Sequence, residues 1–261
     1  MTFLEVLTVT ILGFILREAP NVQRNEELKQ KFNQDIATTL AMEERISDGR
    51  LFDQQTDVLL LASITYRESR FRLPPVDGDC RTTHRLANVP AGLWPSGYVP
   101  VLKMRCNAVG PQQLNRGNTM HLPPWPEIQA LFPERSWRSP EGRKIDKLTE
   151  EQLRDPATNI KLSYGVLAHW KQECQGKDGP APAGVWFTAY RYGRCPFHYK
   201  TDKYYIDYEA KERCDLVTRM VAGLKNSSYA LPQNFRCTYD KDRPAAERSK
   251  TATAARVPSA G

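Results

Sequence analysis

Glu68 stands near the end of a hydrophobic run, VLLLASITYRESRF, four residues after Ile64 and eight after Leu60. Helical spacing stacks those positions on one face, which sets a carboxyl group on an apolar stripe at the end of a buried helix. Removal from water favours the neutral acid, the form that can give a proton to a leaving oxygen. The competing account is an exposed Glu68 paired with Arg72 one helical turn later. On this helix by itself the ion pair is the better account.

Three further segments follow in order. Ala108-Val109-Gly110-Pro111-Gln112-Gln113-Leu114 offers a glycine that lets a ligand approach the backbone and, in Gln113, an amide that can hydrogen-bond it. Alone, G-P-Q-Q is an ordinary turn opening a helix. Asp155-Pro156-Ala157-Thr158-Asn159-Ile160, with Leu167 behind it, reads as a capped helix start. Ala189-Tyr190-Arg191-Tyr192-Gly193 presents a phenol and a cation, although a core aromatic would explain Tyr190 if the segment stood alone.

Together these segments resemble the lytic transglycosylase family of the lysozyme superfamily, including its goose-type lysozyme relatives. The resemblance runs from about Thr56 to Gly193, half of the chain. Glu68-Ser69 matches the family's E-S, in which Glu is the only catalytic carboxylate and Ser helps to hold it. The 108–114 segment is similar to A-x-G-L-M-Q, with Pro111 and Gln112 in place of Leu and Met. The 155–167 segment is similar to D-P-x-x-N-I-x-x-G-x-x-Y-L, with Ser163 for Gly and Val166 for Tyr. The 189–193 segment is similar to A-Y-N-A-G, with Arg191 for Asn.

The resemblance implies Glu68 as catalytic acid and base, supported by Ser69 and by Tyr190, whose hydroxyl would bond the carboxylate. Gly110 and Gln113 would meet the substrate, with Asn159 and Arg191 as further candidates; the 155–167 helix would pack behind the cleft, and Arg191, which does not inherit the Asn role, could touch substrate, act on Glu68 or face solvent. The resemblance also implies cleavage of the MurNAc-GlcNAc β-1,4 bond of peptidoglycan with a 1,6-anhydro product, without metal or organic cofactor. Two alternatives stand beside it. One is a goose-type hydrolase in which Asp77 or Asp79 positions water. The other is a non-catalytic wall-binding module on the same scaffold.

The elements that must position these residues are mainly helical. Leu28, Phe32, Ile36 and Leu40 repeat every four residues and predict a helix from Asn25 to about Ser47. The Glu68 helix is expected to start at Thr56 or Asp57, either of which could cap it. Others are predicted at Leu148–Leu153, from Asn159 to about Cys174, at Val185–Tyr192 and at Tyr205–Leu224. No strand run stands out.

A Pro- and Gly-rich stretch of about 73–105, bracketed by Cys80 and Cys106, reads as a loop insertion bordering the groove, where His84, Trp94 and Tyr98 could line sugar subsites. A second stretch, from His121 to Gly142, also reads as loop. The expected organisation is therefore a possible signal or anchor in 1–24, a lysozyme-like domain in 25–239 with motif core 56–193, and a disordered tail in 240–261.

The six cysteines, Cys80, Cys106, Cys174, Cys195, Cys214 and Cys237, contain no C-x-x-C and favour disulfides in a secreted or periplasmic setting. Their fifteen possible pairings are left open, a Cys80–Cys106 bridge being suggested by position alone. The apolar run Val6 to Leu16 is too short to span a bilayer and lacks a preceding cation, so it suits a degenerate signal, a weak membrane contact or a buried first helix.

The formal charge of +7, from 37 basic against 30 acidic residues, suits an anionic partner such as a cell-wall polymer. No nucleic-acid module accompanies it. His84, His121, His169 and His198 form no ligand spacing, so no metal is expected. Nucleophile-elbow, Walker and dinucleotide-binding patterns are lacking from the sequence.

Overall fold

The computed structural model describes residues 1–71, 78–82, 104–109, 112, 114–115, 125–133, 150–176, 179–198, 203–224 and 229–239. The chain is mainly helical. Helices α1 (Phe3–Glu18), α2 (Pro20–Gln23), α3 (Glu26–Ile46) and α4 (Gln54–Ser69) come first. They are followed by α5 (Pro126–Leu131), α6 (Glu150–Arg154), α7 (Pro156–Glu173), α8 (Ala183–Tyr192) and α9 (Tyr208–Gly223).

Helix α4 is the central one. From Thr56 to Tyr66 every residue is buried, and α3, α7 and α9 pack around it. Its cap is Asp53, whose carboxylate accepts the Thr56 N–H at 2.8 Å, so the helix starts before the expected Thr56 or Asp57. Asp57 instead turns inward. It accepts the N–H groups of Leu51 and Phe52 at 3.2 and 2.9 Å, and the Tyr164 hydroxyl at 2.5 Å. Tyr164 Oη also lies 2.9 Å from Asp48 Oδ1, sharing its one proton, and accepts from the Asp48 and Arg50 amides, which ties α7 to the 48–52 turn.

The Val6–Leu16 run lies in α1, which packs on α3 and α9 through buried Leu7, Ile11, Phe14 and Ile15. Glu5, out of place in a signal, closes a capping box here. Its carboxylate accepts the Thr2 N–H at 2.7 Å while Thr2 Oγ1 accepts the Glu5 N–H at 3.3 Å. Among the described residues no helix is long and apolar enough to cross a membrane.

Helix α3 follows the predicted span, with Asn25 accepting the Leu28 N–H at 3.0 Å. Only its second half enters the core: Ile36 and Leu40 are buried, Phe32 is partly covered and Leu28 is exposed.

Two expectations are corrected. The 121–142 stretch contains α5, because Pro126 supplies the fixed φ of a first helical position and Ile128 and Leu131 share a buried face against α7. Gly165 permits that approach, since a Cβ there would lie 2.6 Å from Ile128 Cδ1. Strands also occur, formed by pairing too short to leave a periodic signal. β1 (Gly78–Thr82), β2 (Met104–Val109) and β3 (Leu114–Asn115) make an antiparallel sheet in that order. Two-stranded ladders join β4 (Gln175–Gly176) to β5 (Gly179–Pro180), and β6 (Phe197–His198) to β7 (Lys203–Tyr204). Cys80 pairs directly with Cys106 across β1 and β2, a register that brings the two backbones as close as a bridge requires.

Two disulfides staple the helical body. Cys174–Cys195 joins the end of α7 to the turn after α8, and Cys214–Cys237 joins α9 to the final described segment. They point to an oxidising, extracytoplasmic compartment. That last segment also caps α8, whose cap residue Pro182 makes no side-chain bond. The carbonyls of Arg236 and Cys237 accept the N–H groups of Ala183 and Gly184 at 2.8 and 2.9 Å.

Candidate functional site

Helix α4 ends immediately after Glu68 and Ser69. Arg70 and Phe71 both take left-handed backbone, φ 55° and 58°, which stops the helix and turns the chain away. Glu68 therefore sits in the last turn of a rigid, buried helix, with its side chain 24% exposed.

Its partner is Arg213 of α9, whose Nη2 donates to Glu68 Oε1. The ion-pair alternative drawn from the sequence was Arg72, which lies outside the described residues. The Arg213 side chain is 3% exposed and lies 5.9 Å from the Phe187 ring, and its Nε and Nη1 have no hydrogen-bond partner. One residue earlier, Arg67 pairs with Glu212 at 3.0 Å. Two adjacent pairs of opposite polarity thus clamp the end of α4 onto α9.

The four sequence segments meet at the last turns of α4. The Tyr190 hydroxyl donates to the Gln112 carbonyl at 3.2 Å and shares a 2.9 Å hydrogen bond with Ser163. The Gln112 N–H donates to Asn159 Oδ1 at 2.9 Å, and its side-chain amide donates to Thr65 Oγ1 at 3.1 Å. Ser69 donates to the Thr65 carbonyl at 3.1 Å. One continuous chain of bonds therefore runs from α4 through the 112 turn to α7 and α8.

Several expected roles shift. Tyr190 holds Ser163 and Gln112 rather than bonding Glu68. Its hydroxyl is pushed well above the ordinary phenol range by burial, Ser163 pulls it down, and the nearby Glu68 charge adds to the rise while Arg213 opposes it. Ser69 bonds its own helix. Asn159 is fully buried, with Oδ1 on Gln112 and Nδ2 donating to the Leu153 carbonyl at 3.0 Å, so it stands beneath the site and not on a substrate surface. Ser163, where the resemblance expects glycine, supplies a hydroxyl to Tyr190.

Arg191 lies on the surface, 44% exposed, paired with Asp207 and Glu209 at 3.2 Å each. The cation beside Glu68 is Arg213. Gly110, Gln113, Asp77, His84, Trp94 and Tyr98 fall outside the described residues, and Asp79 is placed only by its backbone on β1. The 108–114 segment is the β2–β3 connection, with Gln112 in its turn, not the opening of a helix.

Sequence reasoning missed Arg213, which carries no motif, and Glu43. The latter had a signal: it continues the apolar stripe of Ile36 and Leu40 at helical spacing, and it is fully buried. No group of three or more potential metal ligands occurs among the described residues. His169 instead stacks on Trp125, centroids 3.6 Å apart, with Nδ1 3.4 Å from Glu127.

Chemically, the arrangement holds a solvent-reaching carboxylate against a buried guanidinium, with the half-buried Tyr190 phenol within reach of its charge. No protein-family model, curated protein or solved structure matches this chain.

Proposed function

We propose that this protein is a peptidoglycan lytic transglycosylase, secreted or periplasmic, on a lysozyme-like helical domain with a loop insertion between α4 and β2. The observation that carries the reading is the convergence of the four ordered segments. Residues 65, 69, 112, 159, 163 and 190 are joined by hydrogen bonds across up to 78 positions of sequence, anchored on the last turns of the helix that carries Glu68. The Glu68 charge acts on Tyr190, which ties this network to the carboxyl.

In the proposed reaction Glu68 protonates the glycosidic oxygen as the bond to the anomeric carbon breaks. The resulting carboxylate takes the proton of the C6 hydroxyl of N-acetylmuramic acid, whose oxygen closes on the same carbon. The attack is intramolecular, so its high effective molarity offsets the lack of a second carboxylate. Gly110 and Gln113 are assigned to substrate contact, and Tyr190 to fixing the 112 turn.

Digestion of purified sacculi by wild type and Glu68→Gln, read by mass spectrometry, tests this. Anhydro ends that vanish in the variant support it. Reducing ends, heavier by one water, would make the protein a goose-type hydrolase, and unchanged activity in the variant would remove Glu68 from the chemistry.

One observation favours a second reading, a non-catalytic wall-binding module. Arg213 holds Glu68 in an ion pair, which must open before the carboxyl can face a glycosidic oxygen. Retention on sacculi without turnover supports that reading.

A further inference from the structure

The interior beneath the site contains a carboxyl group that the proposed reaction does not use. Glu43 of α3 is fully buried. Its Oε1 accepts the Thr65 hydroxyl at 2.7 Å and the Gln112 amide at 3.5 Å. Among the described residues its Oε2 has no partner, and in the same cluster neither does Gln112 Oε1. Two acceptor oxygens thus lack a donor.

Among the described residues no counter-ion compensates. The groups that act on Glu43 are Thr65 of α4 and Gln112 of the β2–β3 turn, both uncharged. The charged ends of α1 face elsewhere, Glu5 to Thr2 and Glu18 to Arg70, and α7 contributes to the cluster the neutral Asn159 through the Gln112 N–H. An isolated carboxylate is among the costliest groups to bury, whereas the neutral acid brings an O–H.

We propose that Glu43 is a positioning residue that works as a carboxylic acid, its proton completing the Glu43, Thr65 and Gln112 cluster and so fixing the turn against which Tyr190 rests. Burial does push this carboxyl up, to about 8. Its effect on turnover presupposes the Glu68 reaction of the preceding section, and its effect on the fold does not.

The sign of the pH dependence follows. The folded protein keeps a proton that the unfolded chain releases near 4.5, so this contribution is complete below 4.5 and is lost as pH rises towards about 8. A glutamine keeps a donor and cannot ionise.

The test is thermal unfolding of wild type and Glu43→Gln between about pH 6.5 and 8.5, with sacculus digestion followed up to about pH 10. A Tm that falls with pH in wild type and stays level in Glu43→Gln is expected. Digestion by wild type should drop roughly tenfold per pH unit above about 8, and that drop should be missing from the variant. Equal Tm slopes in the two proteins would overturn the proposal.

Should the variant fail to fold, a carbon NMR titration of wild type labelled at its Glu carboxyls decides. One carboxyl titrating near 8 supports the assignment, and all of them titrating in the ordinary range refutes it. A wild type that digests no sacculi defeats the glycan reading while the Tm and NMR results still judge Glu43.

Discussion

Arg213 reaches Glu68 from 145 residues further along the chain, and the two are covered unequally: the guanidinium side chain is 3% exposed and the carboxylate side chain 24%. The cation is the committed partner. Part of the Glu68 side chain meets solvent, while that of Arg213 is enclosed.

Glu68→Gln therefore removes more than an acid. It leaves a buried guanidinium uncompensated and should lower stability by on the order of 3 kcal/mol. Arg213→Met added to Glu68→Gln should restore most of that loss, because a flexible apolar chain fits the same space. Urea unfolding of the two single variants and the double variant gives the coupling energy. Additive losses would show that the pair contributes nothing.

Tyr190→Phe cuts the bonds to Gln112 and Ser163 at once. Two buried groups lose their partner, at about 1–3 kcal/mol. Ser163→Ala in addition should cost little more, since Ser163 already lacks its acceptor in the first variant. Amide exchange should rise at Gln112 in both proteins, and an unchanged rate there would detach Tyr190 from the turn.

Asp57 makes acid conditions favourable locally. Burial, first among its causes, raises its carboxyl from 3.8 to about 6, against the bonds from Tyr164, Leu51 and Phe52. The folded state holds a proton that the unfolded chain loses, so this contribution is complete below 3.8 and disappears as pH climbs to about 6. Asp57→Asn should reduce the wild-type loss of Tm between those values, leaving the part that Glu43 contributes. A variant with the same slope would assign the titration to another group.

Gly184 and Gly165 separate two kinds of crowding. A Cβ at Gly184 would lie 2.6 Å from the Cys237 carbonyl oxygen, a backbone atom next to the Cys214–Cys237 disulfide. A Cβ at Gly165 would lie 2.6 Å from Ile128 Cδ1, the tip of a side chain that can rotate. Gly184→Ala should therefore cost about 1–3 kcal/mol and Gly165→Ala less. Thermal unfolding of the two proteins checks the order.

What the sequence determined by itself was local. Apolar spacing placed α3, α4, α7, α8 and α9 to within a few residues, since a helix is written in contacts three and four positions apart. It also placed Glu68 at the end of a buried helix and marked the segments that meet there. Asp53, Pro126 and the β1–β3 ladder escaped that reading, because a cap, a six-residue helix and short strands leave little periodicity.

Only the tertiary structure decided the partners. That Glu68 faces Arg213, that Asn159 lies beneath the site, that Arg191 turns to Asp207 and Glu209, and that Cys174 joins Cys195 are facts about which helix surfaces touch. Glu43 lies between the two cases. Its place on the Ile36–Leu40 stripe was visible in one dimension, but whether a carboxyl there is paired, exposed or buried depends on α4 and the 112 turn closing over it.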